Sequence, residues 1–92
     1  MSFDIIYNKA VWGDLDKVSQ KDRLNIKSSI NTKLVDNPEL FGKPLRKSLK
    51  GYRSLRVGEY RIVFKIVSKN IKILAIFHRS DDYKKANKRI TR

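Results

Sequence analysis

The chain has 92 residues, of which 22 are basic and nine acidic, so its formal charge at neutral pH is +13. This length predicts a single domain over residues 1–92. The absence of cysteine excludes disulfides, thiolate nucleophiles and cysteine-ligated zinc, and it suits the cytoplasm. The charge lies well above the magnitude of about 2–8 that is common for a small soluble domain, and it predicts a polyanionic partner.

Two helices are predicted after a short first strand over residues 3–7. Asn8 can cap a helix over residues 9–17, and Val11, Trp12, Leu15 and the adjoining Val18 follow helical spacing. Ser19 can start a second helix, which Asn37-Pro38 ends because proline cannot continue the hydrogen-bond ladder. We expect the two helices to form a hairpin, with Trp12 in its core.

Three strands and a last helix follow a basic loop over residues 40–51. The strands are predicted over residues 52–57, 60–67 and 71–77, and Gly58-Glu59 supplies a tight turn between the first two. Asp81-Asp82 can cap a helix over residues 83–90. The order β-α-α-β-β-β-α predicts an α+β fold in which the helix hairpin packs on one face of an antiparallel sheet. The other face is expected to be open, concave and basic.

Strand alternation assigns several arginines to that open face. Tyr60, Ile62, Phe64 and Ile66 form an apolar set that should face the helices, so Arg61 faces the opposite way. Arg56, on the far side of the tight turn, should share this surface, and Arg79 ends the last strand. Each arginine could instead pair with an acid, but nine acids cannot neutralise 22 cations. Three guanidinium groups on one face predict a phosphate-binding site.

Two segments resemble blocks of the RelE/ParE toxin superfamily of type II toxin–antitoxin systems. Residues 51–64, GYRSLRVGEYRIVF, resemble the central hairpin of that superfamily. Residues 73–83 resemble its second block, an apolar strand that ends in a His-Arg pair with a tyrosine shortly after it. The resemblance extends over nearly the whole chain.

This resemblance implies a toxin that acts on translation. RelE-like members cut mRNA in the A site of the ribosome, whereas ParE-like members share the fold and poison DNA gyrase. Both are silenced by a small antitoxin. The implied partners are therefore mRNA, the ribosome and an acidic antitoxin that forms a hetero-oligomer with the toxin and covers the open face. No membrane, cofactor or metal is implied.

The resemblance also implies roles for individual residues. Arg61 and Arg79 match the phosphate-binding arginines, and Tyr83 is placed like a tyrosine that orients the nucleotide. Cleavage would use the 2′-hydroxyl of the RNA as the nucleophile. Further phosphate contacts are expected from basic residues of the hairpin and the loop, namely Arg56, Arg53, Lys50, Lys47, Arg46 and Lys43.

The chain departs from the family at the general base. The positions at which RelE toxins carry lysines on the first hairpin strand hold Tyr52 and Ser54 here. His78 is a candidate substitute, because histidine is the side chain that titrates near neutral pH. Two alternatives stay open: a ParE-like gyrase inhibitor without nuclease activity, and a non-toxic basic RNA-binding module.

Overall fold

A computed structural model of the protein describes residues 2–90 as a five-stranded sheet with helices on both faces. Its elements are β1 (Asp4–Tyr7), α1 (Val11–Asp16), α2 (Gln20–Ser29), α3 (Pro38–Phe41), β2 (Lys43–Pro44), β3 (Tyr52–Val57), β4 (Tyr60–Val67), β5 (Asn70–His78) and α4 (Lys84–Ile90). A π-helical turn (Ile30–Leu34) extends α2, and a 3-10 turn (Lys47–Leu49) follows β2. No helix within residues 2–90 has the length and apolar content needed to cross a bilayer.

The strands lie in the order β1-β5-β4-β3-β2, and the sheet is mixed. The antiparallel pairs β3–β4 and β4–β5 confirm the predicted meander. The expectation of a wholly antiparallel sheet is wrong, because β1 runs parallel to β5, with Tyr7 beside Ile73. A parallel pair needs a long crossover between its strands, and the helices and the first two meander strands supply one here.

The first face of the sheet, which we call the helix face, packs against α1 and α2 as predicted. Val11, Ile26 and Ile30 from the helices are buried against Ile62 and Phe64 of β4. The Ser19 hydroxyl accepts the Asp22 N–H and caps α2 at the predicted position. Removal of this apolar surface from water is the main force that holds the hairpin on the sheet.

The opposite face, which we call the α4 face, is not open as predicted. Val63 and Ala75 at its centre are fully buried, together with Phe77. Ala86 of α4 and Leu49 of the 3-10 turn cover them. The covering has a plain cause, since these apolar side chains leave water only if the last helix lies across them.

Trp12 lies outside the core, so its predicted burial is wrong. Its side chain is 56% exposed, whereas Val11 beside it is fully buried. The Trp12 ring packs instead on Tyr7, with ring centroids 5.0 Å apart. A helix of only six residues turns one of two adjacent side chains towards the sheet, and Val11 takes that place.

Asp14 joins α1, β5 and α4 through its buried carboxylate. Arg89 donates to both of its oxygens, at 2.7 and 2.8 Å, and Lys85 donates at 3.1 Å. The Ile76 N–H donates at 3.0 Å from the part of β5 that extends beyond β1. Burial by itself raises the pKa of Asp14, but the hydrogen bonds from Arg89, Ile76 and Lys85 outweigh it and hold the pKa below its usual value.

The substitution Asp14→Asn tests this contact. It leaves two cations without their buried counter-charge, and we expect the free energy of unfolding to fall by about 3 kcal/mol in urea titrations. Asp16→Asn is the control, because Asp16 is exposed at the end of the same helix, where an acid opposes the helix dipole. Equal stability of the two variants would contradict the assignment.

The lowered pKa of Asp14 also predicts a pH dependence of stability. The ionised carboxylate stabilises the folded state, so its contribution is complete above the unfolded pKa of about 3.8 and is lost as the pH falls through the lower folded pKa. Between about pH 6 and about pH 3, wild type should lose more unfolding free energy than Asp14→Asn, which cannot titrate at this position. Parallel losses in the two proteins would refute the linkage.

Candidate functional site

Arg56 and Arg61 lie directly opposite each other on β3 and β4, which confirms the predicted shared surface. Both are on the α4 face, and Arg61 lies beside Phe77 of β5. The Arg56 Nε donates to the Gly58 carbonyl at 3.0 Å, inside the tight turn. Gly58 has a φ of 59°, a conformation that glycine adopts readily, so the turn between the two strands stays tight. The pair concentrates positive charge at one end of the sheet.

Tyr83, the residue before α4, completes this group. Its hydroxyl accepts from Arg61 Nη1 at 3.3 Å and donates to Ser54 Oγ at 3.3 Å. Its ring meets Phe77 edge-on, with centroids 5.3 Å apart. We call Ser54, Arg56, Arg61 and Tyr83 the Arg61 cluster. Asp82 accepts the Lys84 N–H and caps α4, as the sequence predicts. Because this hydrogen bond spans Tyr83, it fixes the backbone from which the tyrosine side chain projects.

Arg79 and His78 lie around Glu59 instead. Arg79 Nε is 2.8 Å from Glu59 Oε1, and His78 Nε2 is 3.8 Å from the same oxygen. The hydrogen bond and charge of Arg79 hold the pKa of Glu59 below its usual value. His78 packs edge-on against Tyr60, so it belongs to the helix face. The structure therefore does not bring His78 together with the Arg61 cluster.

Arg53 is also on the helix face, where it donates to backbone carbonyls just before β2. Its Nη1 donates to the Gly42 carbonyl at 2.9 Å and to the Glu39 carbonyl at 3.4 Å. Gly42 packs against the Phe64 ring, so the Arg53 guanidinium holds the segment between α3 and β2 against the sheet. This arrangement gives Arg53 a structural role away from the Arg61 cluster.

The basic loop lies beside α4 and is better ordered than its composition suggests. Leu49 is buried, and the Ser48 hydroxyl donates to Asn87 of α4. The register of β2 on β3 puts Lys43 directly opposite Ser54, so both share the α4 face. The remaining cations of the loop are exposed, namely Arg46, Lys47 and Lys50.

Ser54 is a member of this site that sequence reasoning missed, although strand alternation puts it on the same face as Arg56. Lys43 is predicted as a phosphate contact of the loop, but its place on β2 is not, because a strand of two residues leaves no periodic signal. Within residues 2–90, no three histidine, aspartate or glutamate side chains converge as metal ligands would.

A separate apolar groove runs between α1 and α2. It has a volume of about 520 Å³, and Trp12 and Leu24 stand at its opening with 56% and 61% exposure. Arg23 and Lys27 bring positive charge to the same groove. Its remaining lining is mostly apolar and comes from Tyr7, Leu15, Gln20, Ile26, Ile30 and Ile76.

Comparisons with known proteins agree with this fold. Residues 5–83 match the family described as ParE toxin of type II toxin-antitoxin system, parDE. Toxin RelE of Mycobacterium tuberculosis is 33% identical over 90 residues, which cover 91% of this chain and 93% of that protein. The toxin-antitoxin complex RelBE2 of the same organism contains a chain with a TM-score of 0.81 and 27% identity, covering 86% of this chain and 100% of that one. A free Escherichia coli RelE variant has a TM-score of 0.76 at 11% identity, with 99% and 96% covered.

The protein is thus a small toxin of a type II toxin–antitoxin system. More narrowly, the chain belongs to the ParE toxin family, within the RelE/ParE superfamily.

The hydrogen bond between Tyr83 and Ser54 can be tested by a double-mutant cycle. Tyr83→Phe keeps the ring on Phe77 but leaves the buried Ser54 hydroxyl without its partner, so we expect a loss of about 1 kcal/mol in unfolding free energy. Adding Ser54→Ala removes the orphaned group, and the double variant should lose less than the sum of the single losses. Strictly additive losses would show that the two hydroxyls are independent.

Proposed function

We propose that this protein is a ribosome-dependent endoribonuclease that cuts mRNA at the Arg61 cluster. The observation that carries the proposal is the hydrogen bond from Arg61 to Tyr83, which joins a guanidinium to a phenol on one face. The similarity to Toxin RelE of Mycobacterium tuberculosis supports a toxin role of this kind, since the two chains match over nearly their full lengths.

The guanidinium of Arg61 would hold the scissile phosphate. One of its N–H groups is used by Tyr83, which leaves others to donate to the non-bridging oxygens. Negative charge grows on these oxygens when the 2′-hydroxyl attacks, so a fixed cation stabilises the transition state more than the ground state. Arg56 across the turn adds to the same field.

Tyr83 would supply the proton for the leaving 5′-oxygen. Arg61 donates to the Tyr83 oxygen, and this hydrogen bond stabilises the phenolate that remains after the proton has moved. Ser54 orients the hydroxyl from the other side. Lys43, which shares the α4 face with Ser54, is the lysine available to stabilise charge in place of the absent strand lysines.

Arg79 has a separate place in this proposal. Its ion pair with Glu59 fixes Nε and leaves the two terminal nitrogens for a phosphate further along the RNA. His78 has no role in it, because its ring lies against Tyr60 on the helix face. The proton from the 2′-hydroxyl would therefore pass to solvent or to the ribosome rather than to histidine.

A reconstituted translation system tests the activity. With a defined mRNA and primer extension, wild type should produce new 5′ ends within codons only when ribosomes are present. Arg61→Ala should slow cleavage by about 100-fold or more, as removal of a transition-state donor does. The cleavage rate of Arg61→Lys should lie between the rates of wild type and Arg61→Ala, since an ammonium keeps the charge but loses the fork geometry.

Lys21→Ala is the control for these variants, because it removes one positive charge from α2, outside the Arg61 cluster. It should cleave at the wild-type rate. Cleavage by Arg61→Ala at the wild-type rate, with the fold verified by circular dichroism, would contradict the assignment of Arg61 as the group that holds the scissile phosphate.

Inhibition of DNA gyrase without cleavage is the second candidate function. The presence of Tyr52 and Ser54 at the lysine positions favours it, because the Arg61 cluster contains no strong base. Intact mRNA in the translation assay, together with inhibition of supercoiling by purified gyrase, would establish this function instead.

An acidic antitoxin is the proposed protein partner, and the groove between α1 and α2 is its proposed docking place. Exposed Trp12 and Leu24 offer apolar contacts, and Arg23 and Lys27 offer charge contacts. An amphipathic helix with an acidic border fits these features. The solved complexes among the structural relatives are toxin–antitoxin complexes, which supports a partner of this kind.

Leu24→Asp tests the docking place. The new carboxylate stands in the apolar groove and repels an acidic partner, so affinity for the cognate antitoxin should fall by at least about 30-fold, or 2 kcal/mol. Leu40→Asp is the control, because Leu40 is 74% exposed on α3 and does not line the groove. Isothermal titration of the purified pair measures both, and equal affinities would rule out the groove.

A further inference from the structure

A row of side chains crosses the α4 face at the end far from the Arg61 cluster. Tyr52 on β3 lies opposite Lys65 on β4, and Lys65 lies opposite Lys72 on β5. Ile6 of β1 continues the row beside Lys72. We call Tyr52, Lys65 and Lys72 the lysine row.

The two lysines face each other without an acid from the described chain. Like charges directly opposite on neighbouring strands destabilise a sheet. The ion pairs found within residues 2–90 use only Asp14 and Glu59 as acids. Asp4, which alternation puts on the same face as Ile6, is not among those acids. Among residues 2–90, these two adjacent ammonium groups therefore have no counter-charge.

The lysine row borders a cavity rather than a flat surface. The cavity measures about 360 Å³ and lies beside the last residue of α4, Ile90. Lys65 Nζ is 5.3 Å from the centre of the Tyr52 ring, and Tyr52 is half-buried against the apolar cluster that contains Val63. An anion that entered here would meet two cations and an aromatic surface together.

These groups fit a nucleotide better than an acidic peptide. Ammonium groups bind phosphate as point charges, and an aromatic ring stacks on a base of any identity. A carboxylate side chain would use the lysines but would leave the aromatic ring without a matching partner. The combination of the two chemistries therefore favours RNA.

We propose that the lysine row is a second RNA-binding subsite, in which Lys65 and Lys72 hold backbone phosphate and Tyr52 stacks on a base. The inference rests on the proposed function, because it assigns further contacts to the same RNA. Lys65 follows Arg61 by four residues on β4, a distance of about 13 Å along the strand. A single RNA strand of a few nucleotides spans this distance beside α4.

RNA binding without ribosomes tests the subsite. Fluorescence anisotropy would measure the affinity of a labelled single-stranded RNA at several salt concentrations for three proteins: wild type, Lys65→Gln/Lys72→Gln and Lys17→Gln/Lys21→Gln. The control pair removes the same charge near α1 and α2. The lysine-row variant should bind several-fold more weakly than the control, and its slope of log affinity against log salt should be smaller by about 1.4, or 0.7 for each lost phosphate contact.

The variant is expected to fold, because it removes a repulsive pair, and its melting temperature should not fall below that of wild type. Equal affinities and slopes for the two double variants would overturn the proposal, as would a wild type that binds no RNA. Weaker binding to the acidic antitoxin with unchanged RNA affinity would assign the row to a protein contact instead, which also overturns it.

The two proposals fail separately. If wild type binds RNA through the lysine row but leaves mRNA intact on ribosomes, cleavage fails and the subsite stands. If ribosomal cleavage proceeds while the two double variants bind RNA alike, the subsite fails and cleavage stands.

Discussion

The Asp14 carboxylate is the one charged group that is buried within residues 2–90, and the position of α4 depends on it. Arg89 lies near the end of α4 and also donates to the Leu74 carbonyl, so one side chain ties the helix to both α1 and β5. Tyr83 immediately precedes this helix. The contact that joins α1 and α4 beside β5 therefore helps to hold the tyrosine that faces Arg61.

Local signals in the sequence were enough to predict the hairpin at the centre of the site. Both strands have their predicted bounds, because period-2 alternation and the Gly58 turn act within a few residues. The same alternation correctly separated Ile62 and Phe64 from Arg61.

Contacts between distant parts of the chain could not be predicted in this way. Asp14 meets Ile76 and Arg89 across 62 and 75 positions, and no periodic pattern marks such a contact. The parallel pairing of β1 with β5 has the same origin, since neither strand carries a signal for its partner. The sequence predicts an open α4 face because no residue pattern in the last helix indicates which surface that helix covers. The apolar side of this helix, with Ala86 and Ile90, can be assigned to the α4 face only from its packing with Val63 and Ala75.

The sheet separates two surfaces that differ in chemistry. The groove between α1 and α2 is apolar with a basic border, whereas the α4 face carries the Arg61 cluster at one end and the lysine row at the other. A partner confined to the groove would leave Arg61 accessible, because the whole sheet lies between them. Silencing of the Arg61 cluster by a groove-bound partner therefore requires a second segment of that partner to pass around an edge of the sheet. At the β2 edge, where Lys43 lies opposite Ser54, an acidic segment would meet Lys43 before it reached Arg61.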